Sequence, residues 1–189
     1  MNFFNLQHLI LVFLFAFLSS NPVYAADSNA GKNASIPCQT CHGIDGEIKS
    51  PLYPLLTGQR ATYLEAQLKA FKSGARVNSA MQAIAAKLSE QEIKNISAFY
   101  SRLTVKKEGK SSTETKKRSA KFAMCAGCHG ATAQGRGGFP KLAGQSSDYL
   151  KKQLLNFKSG VRKGGPMNAI SSTLSEQDIN LIVNFLASL

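Results

Sequence analysis

The sequence predicts an all-α fold built as two tandem copies of one small domain, and three observations carry that prediction. The first is internal repetition. Gly58-Gln59, Tyr63-Leu64, Gln67-Leu68 and Phe71-Lys72-Ser73-Gly74 recur 86 residues later as Gly144-Gln145, Tyr149-Leu150, Gln153-Leu154 and Phe157-Lys158-Ser159-Gly160, and a repeat of this kind settles architecture before local structure is considered. The second is periodicity: Leu64, Leu68 and Phe71, like Leu150, Leu154 and Phe157, fall at i, i+4, i+7, one face of a helix. The third is the lack of any alternating strand pattern. Tryptophan is also absent, so each core must be built from aliphatic, Phe and Tyr side chains together with any cofactor.

In chain order, Leu9 to Leu18 is an unbroken apolar run, followed by Asn21-Pro22 and then Val23-Tyr24-Ala25. That layout is expected to be a secretory signal over residues 1–25, cut after Ala25, which sends the protein to the periplasm. No Lys or Arg precedes the run, so an uncleaved N-terminal anchor is the other reading, although the run is shorter than the roughly 20 apolar residues a bilayer span needs. The first domain is expected over 26–100. Its amphipathic helix stops at Gly74, as its counterpart stops at Gly160, glycine being the residue that readily takes the left-handed closing conformation. Ser89 and Glu92, and Ser175 and Asp178, place a capping hydroxyl three residues before an acid at the start of a closing helix carrying Ile93, Ile96, Phe99 or Ile179, Ile182, Phe185. Residues 101–119 are expected to be a linker rich in Lys, Ser, Thr and Glu, and the second domain to fill 120–189.

The net charge is +12 and the excess gathers in the middle, at Lys106, Lys107, Lys110, Lys116, Lys117 and Arg118. This run reads as a solvated connector; docking to an acidic partner, or peripheral association with anionic lipid headgroups, is the alternative. Nucleic acid is not an expected partner, because no recognition motif accompanies the charge and the chain is expected to be exported.

The chemistry lies in a doubled motif: Cys38-Gln39-Thr40-Cys41-His42 and Cys125-Ala126-Gly127-Cys128-His129. Two thiols three residues apart on one helical turn can each add to a vinyl group of one porphyrin, and the histidine that follows presents a nitrogen to the iron. This is the c-type haem attachment pattern. A zinc site made from four cysteines leaves the two histidines without a role. Local disulfides, or a thioredoxin-like dithiol, need no histidine there, and the helical repeat lacks the strands of that fold. Two covalent haem c groups are therefore expected, one on Cys38, Cys41 and His42 and one on Cys125, Cys128 and His129. The only other histidine is His8, within the signal, so a second histidine cannot complete either iron. Met81 and Met167 occupy matched positions in Gly-bounded loops, and their thioethers suit a haem iron as sixth ligands, a pairing that raises the potential; a hydrophobic filler is the alternative. Met124, beside Cys125, is expected in the core.

With these residues in hand, the sequence resembles the di-haem cytochrome c4 family. The resemblance runs from the first haem motif to the C-terminus and includes the doubled Pro-x-Leu-x-Gly-Gln (Pro54 to Gln59, Pro140 to Gln145). It implies two facing cytochrome c-like domains, with the Pro54 and Pro140 carbonyls accepting the remaining imidazole N–H. It also implies an electron carrier rather than an enzyme, passing electrons in a respiratory chain between a quinol-cytochrome c oxidoreductase and a terminal oxidase or reductase. Two rival roles belong to the same module: cytochrome subunit of a dehydrogenase, such as flavocytochrome c sulfide dehydrogenase, and di-haem peroxidase.

Overall fold

The structure is a computed structural model and describes residues 25–47, 50–104 and 115–189. The expected signal and the middle of the expected linker lie outside these residues. Among the described residues the chain is helical, with one isolated bridge between Arg136 and Phe139 and no strand. No helix among them is long and apolar enough to cross a membrane.

The first domain contains α1 (Ser28–Ala34), α2 (Ile36–His42), a 3-10 turn (Ile44–Gly46), α3 (Ala61–Lys72), α4 (Ser79–Ala85) and α5 (Glu90–Arg102). Asp27 caps α1 through the Asn29 and Ala30 N–H groups, and its own N–H donates to Asn95 Oδ1 of α5 at 2.9 Å. Gly31 lets these two helices meet, since a Cβ there would lie 2.0 Å from the Asn95 carbonyl oxygen. Pro37 then breaks the chain into α1 and α2 at Ser35, because proline has no N–H to continue the ladder.

The second domain contains α6 (Thr115–His129), α7 (Ser147–Lys158), α8 (Pro166–Ser172) and α9 (Glu176–Ala187). Met124 stands where the first copy has Pro37, so α6 runs through without a break. It also begins inside the expected linker, at Thr115. Met124 is 54% exposed, against expectation. It sits half a turn from Phe122, the residue that α6 buries in the core, and so faces outward.

Both helix-closing expectations hold. α3 and α7 give way to Gly74 and Gly160 at φ +78° and +76°. α5 and α9 begin with complete capping boxes, Ser89 with Glu92 and Ser175 with Asp178. Lys121 of α6 pairs with Asp178 at 2.6 Å, and that bond with the Ser175 contacts pulls the Asp178 carboxyl down to about 2. The closing helix α5 packs on α1 and α3, and α9 packs on α6 and α7, and each domain has its own core. Leu64, Ile96, Phe99 and Tyr100 form one; Leu150, Ile179, Ile182, Phe185 and Leu186 are central to the other. Burying an aliphatic or Phe side chain of this kind contributes about 1.5–3 kcal/mol.

The domains meet through a set of polar contacts repeated in both directions. Arg76 donates to Gln67 Oε1 (2.7 Å) in its own domain and to Tyr149 OH and Gln153 Oε1 (both 3.0 Å) in the other. Arg162 reciprocates with Gln153 (2.7 Å), Tyr63 OH (3.0 Å) and Gln67 (2.9 Å). Each guanidinium also lies over a phenylalanine of its own domain, Phe71 at 4.6 Å and Phe157 at 4.5 Å. Such polar contacts are worth most where water is excluded. Tyr149 is half-buried here, and that burial holds its hydroxyl above the ordinary tyrosine range.

Candidate functional site

The doubled motif forms the last turn of α2 in one domain and of α6 in the other, so helical geometry places both thiols of each pair and the following imidazole on one short stretch. The four cysteines are free thiols, with no disulfide among the described residues despite their spacing. In each pair the first thiol packs against its domain's core, Cys38 and Cys125, and burial pushes both thiols up. Cys41 is half-buried and Cys128 exposed. Each turn therefore points one sulfur inward and leaves the other nearer the surface.

Gly43 (φ +83°) and Gly130 (φ +81°) follow the histidines and turn the chain back sharply. The returning segment brings a proline carbonyl over each imidazole: Pro54 O lies 3.0 Å from His42 Nδ1, and Pro140 O lies 3.0 Å from His129 Nδ1. A carbonyl only accepts, so Nδ1 carries the proton in both rings and Nε2 is left with its lone pair. Both histidines are buried, and burial lowers their pKa while the carbonyl bond partly opposes it. The imidazoles are thus held neutral, which is the form that binds a metal. Tyr53 and Phe139, the residues before the prolines, stand edge-on to the rings at 6.0 and 6.2 Å. Two thiols able to form thioethers beside a fixed, neutral imidazole make a donor set that fits haem c.

The methionines lie on short helices rather than in loops. Met81 is in the first turn of α4, its N–H capped by Asn78 Oδ1 at 3.0 Å, and Met167 is the second residue of α8, behind Pro166. Asn78 and Pro166 are favoured helix-starting residues that periodicity in a seven-residue segment does not reveal. Both methionines are half-buried. Each lies on a helix that packs against α3 or α7 of its own domain, separate from the cysteine and histidine turn.

Sequence reasoning missed what Gln59, Gln145 and the two Tyr-Gln-Arg sets do. It treated the glutamines and tyrosines as marks of the repeat and gave Arg76 and Arg162 no role, yet all lie between the domains. Identical polar residues at matched positions in both copies, with no role in a core or on an iron, were the available signal.

Comparison with known proteins agrees with this geometry. Residues 29–99 match the family described as "Cytochrome C oxidase, cbb3-type, subunit III", and residues 116–189 match "Cytochrome c". The chain is 31% identical to cytochrome c4 of Pseudomonas aeruginosa, over 87% of this chain and 90% of that one. It is 33% identical to a thiosulfate dehydrogenase electron acceptor of Stutzerimonas stutzeri, over 92% and 91% respectively. The crystal structure of reduced recombinant cytochrome c4 from Pseudomonas stutzeri superimposes with a TM-score of 0.80 at 30% identity, covering 87% of this chain and all of that one.

Proposed function

The chain belongs to the cytochrome c4 family of di-haem electron-transfer proteins, and from that premise we propose that Cys38, Cys41 and His42 hold one haem c and Cys125, Cys128 and His129 the other, with Met81 and Met167 as the sixth ligands. Two covalent haem c groups and an electron-transfer role, without enzymatic activity of its own, follow from the family. Each haem supplies a one-electron iron centre. The observation that carries the residue assignment is the repeated turn, in which each histidine that follows a thiol pair is fixed by a proline carbonyl at the same 3.0 Å.

The residues have distinct tasks. The thiols anchor the cofactor to a helix end that is continuous with the domain core. The proline carbonyl fixes ring orientation and tautomer and raises the basicity of Nε2, as a hydrogen-bonded partner of a ligand does. Methionine sulfur favours the reduced iron and raises the potential. A haem held by a histidine nitrogen and a methionine sulfur in each domain would keep no place open for a small substrate, so outer-sphere transfer to redox protein partners would be the remaining chemistry.

A redox titration followed by absorption on haem-loaded protein tests this. Met81→Ala and Met167→Ala are each expected to lower one potential while leaving two covalent haems, and unchanged potentials in both would overturn the axial assignment.

For the route, we read the chain as an exported periplasmic carrier that takes electrons from a quinol-cytochrome c oxidoreductase and passes them to a terminal oxidase or reductase. The capped start of α1 at Asp27, two residues after the expected cut at Ala25, supports export with cleavage there. A mature chain beginning at Ala26, measured by mass spectrometry, is the expected result. The likeness to thiosulfate dehydrogenase electron acceptors supports a second reading, acceptance of electrons from a dehydrogenase. Comparing reduction rates by the two donor classes decides between them.

A further inference from the structure

In each domain the carbonyl that holds the histidine belongs to a peptide group whose N–H is held by the opposite domain. His42 Nδ1 donates to Pro54 O, and the amide of that same peptide unit, Leu55 N, donates to Gln145 Oε1 at 2.7 Å. Gln145 Nε2 donates back to Leu55 O at 3.1 Å. The arrangement repeats with the domains exchanged: His129 Nδ1 donates to Pro140 O, Lys141 N donates to Gln59 Oε1 at 2.7 Å, and Gln59 Nε2 donates to Lys141 O at 2.9 Å.

The orientation of each amide is fixed by a second donor. Gln145 Oε1 also accepts from Ser146 N (3.1 Å), and Gln59 Oε1 from Arg60 N (2.9 Å), so the oxygen and not the nitrogen must face these N–H groups. Gln145 is 5% exposed and Gln59 6%, so water does not compete for either bond. Two buried chains result, each running from a histidine of one domain through one peptide group to a glutamine of the other.

We propose that Gln145 tunes the iron centre of the first domain, and Gln59 that of the second, by polarising the peptide group that accepts the histidine proton. This rests on the assignment of His42 and His129 as iron ligands. An acceptor on the amide N–H draws charge toward the carbonyl oxygen, and hydrogen bonds in series strengthen one another. A stronger acceptor at Nδ1 makes Nε2 a better electron donor, which favours oxidised iron. Loss of the glutamine acceptor weakens that donation and raises the potential of the centre across the interface. The Tyr-Gln-Arg contacts hold the domains together independently, so the glutamines are positioning residues for the ligand more than clamps for the interface.

The test uses the full haem-loaded chain. Gln145→Leu and Gln59→Leu are titrated beside the wild type, with covalent haem counted after denaturation. A Cys38→Ala/Cys41→Ala variant, which keeps only the second centre, identifies the two waves. Gln145→Leu is expected to raise the first centre's potential, changing its oxidised-to-reduced ratio at fixed applied potential by up to about tenfold, or ~59 mV for one electron. The second wave stays in place, and Gln59→Leu gives the opposite pattern. Gln145→Glu keeps an acceptor and strengthens it, so it moves the first wave downward. Hydrogen exchange at His42 Nδ1, followed by NMR, is faster in Gln145→Leu and unchanged at His129.

The proposal is overturned if both haems are present and neither wave moves. Equal movement of both waves, a shift confined to the glutamine's own domain, or the same direction of shift in Gln145→Leu and Gln145→Glu would overturn it as well. A wild-type protein without haem on Cys38 and Cys41 would instead defeat the site assignment, a separate and visible result.

Discussion

The first domain buries Gly46, Ser97 and Tyr100; at the matching positions the second buries Ala133, Val183 and Leu186. The members of each set depend on one another. A Cβ on Gly46 would meet the Tyr100 ring at 2.9 Å, whereas Ala133 carries its methyl, fully buried, in the same core as the smaller Leu186. Both residues take left-handed backbone, φ +79° for Gly46 and +56° for Ala133, so the turn is preserved while its filling changes. The start of the methionine helix shows the same freedom: Asn78 caps α4, whereas Gly165 and Pro166 open α8. By contrast the thiols, the histidines, the proline carbonyls and the interdomain glutamines are the same in both copies. Groups with a chemical task are held fixed, and groups that only fill space are exchanged in compensating sets.

The comparison breaks most severely at Gly31. The close approach of α1 to α5 leaves no room for a methyl group, because the atom in the way is the backbone oxygen of Asn95. Gly31→Ala must push the two helices apart, and it is expected to destabilise the protein by about 3 kcal/mol, the upper end of the cost of overpacking. Chemical denaturation of the haem-loaded protein reads this as a lower midpoint. A midpoint equal to the wild type would mean that the helices do not cross at this residue.

A smaller effect sharpens the pairing of turn and wall. Gly46→Ala is expected to cost about 1–3 kcal/mol, since it adds a methyl against the Tyr100 ring at a positive φ. The reverse change, Ala133→Gly, relieves left-handed strain of about 1 kcal/mol and loses a buried methyl worth about 0.8 kcal/mol, so it should be nearly neutral. Combining Gly46→Ala with Tyr100→Leu gives the first domain the second domain's pair, and should recover most of the loss. Equal costs for the single and double variants would show that the two positions are independent.

Much of this design was legible in the residues. The repeat, the amphipathic helices, their glycine stops and capping boxes, and the helical turns that carry both Cys-x-x-Cys-His runs follow from spacing, because they rest on local rules of helix geometry. The helices at Met81 and Met167 were not legible, since seven residues are too few to show a period and their starts depend on caps that differ between copies. Exposure of Met124 was misread because adjacency to Cys125 in sequence says nothing about direction around a helix: two residues beyond Phe122 is about 200° of rotation. The glutamine bonds to Leu55 and Lys141 were also out of reach. They join residues some 80 to 90 positions apart through backbone groups that carry no sequence signal.

The smallest expected effect concerns the wall of the first domain, where Ser97 Oγ and Tyr100 OH are buried without a hydrogen-bond partner. The second domain has Val183 and Leu186 at these positions, and its own buried, unpaired hydroxyl, Ser171 Oγ, lies elsewhere, on α8. Burial, with the neighbouring Cys38 and Asp45 adding to it, drives the Tyr100 hydroxyl well above the ordinary tyrosine range, so it stays protonated at any working pH. A buried hydroxyl without a partner costs about 1–3 kcal/mol of desolvation, and removing the hydroxyl removes that cost. Ser97→Ala and Tyr100→Phe keep the surrounding shape nearly intact. Each is therefore expected to leave stability unchanged or to raise it by about 1 kcal/mol, seen as a small upward shift of the denaturation midpoint. If the two hydroxyls shared a buried water, both would be satisfied, and each variant would then lose roughly 1 kcal/mol by breaking that bridge. The sign of the shift therefore decides whether the first domain's wall is dry like the second's or built around a water.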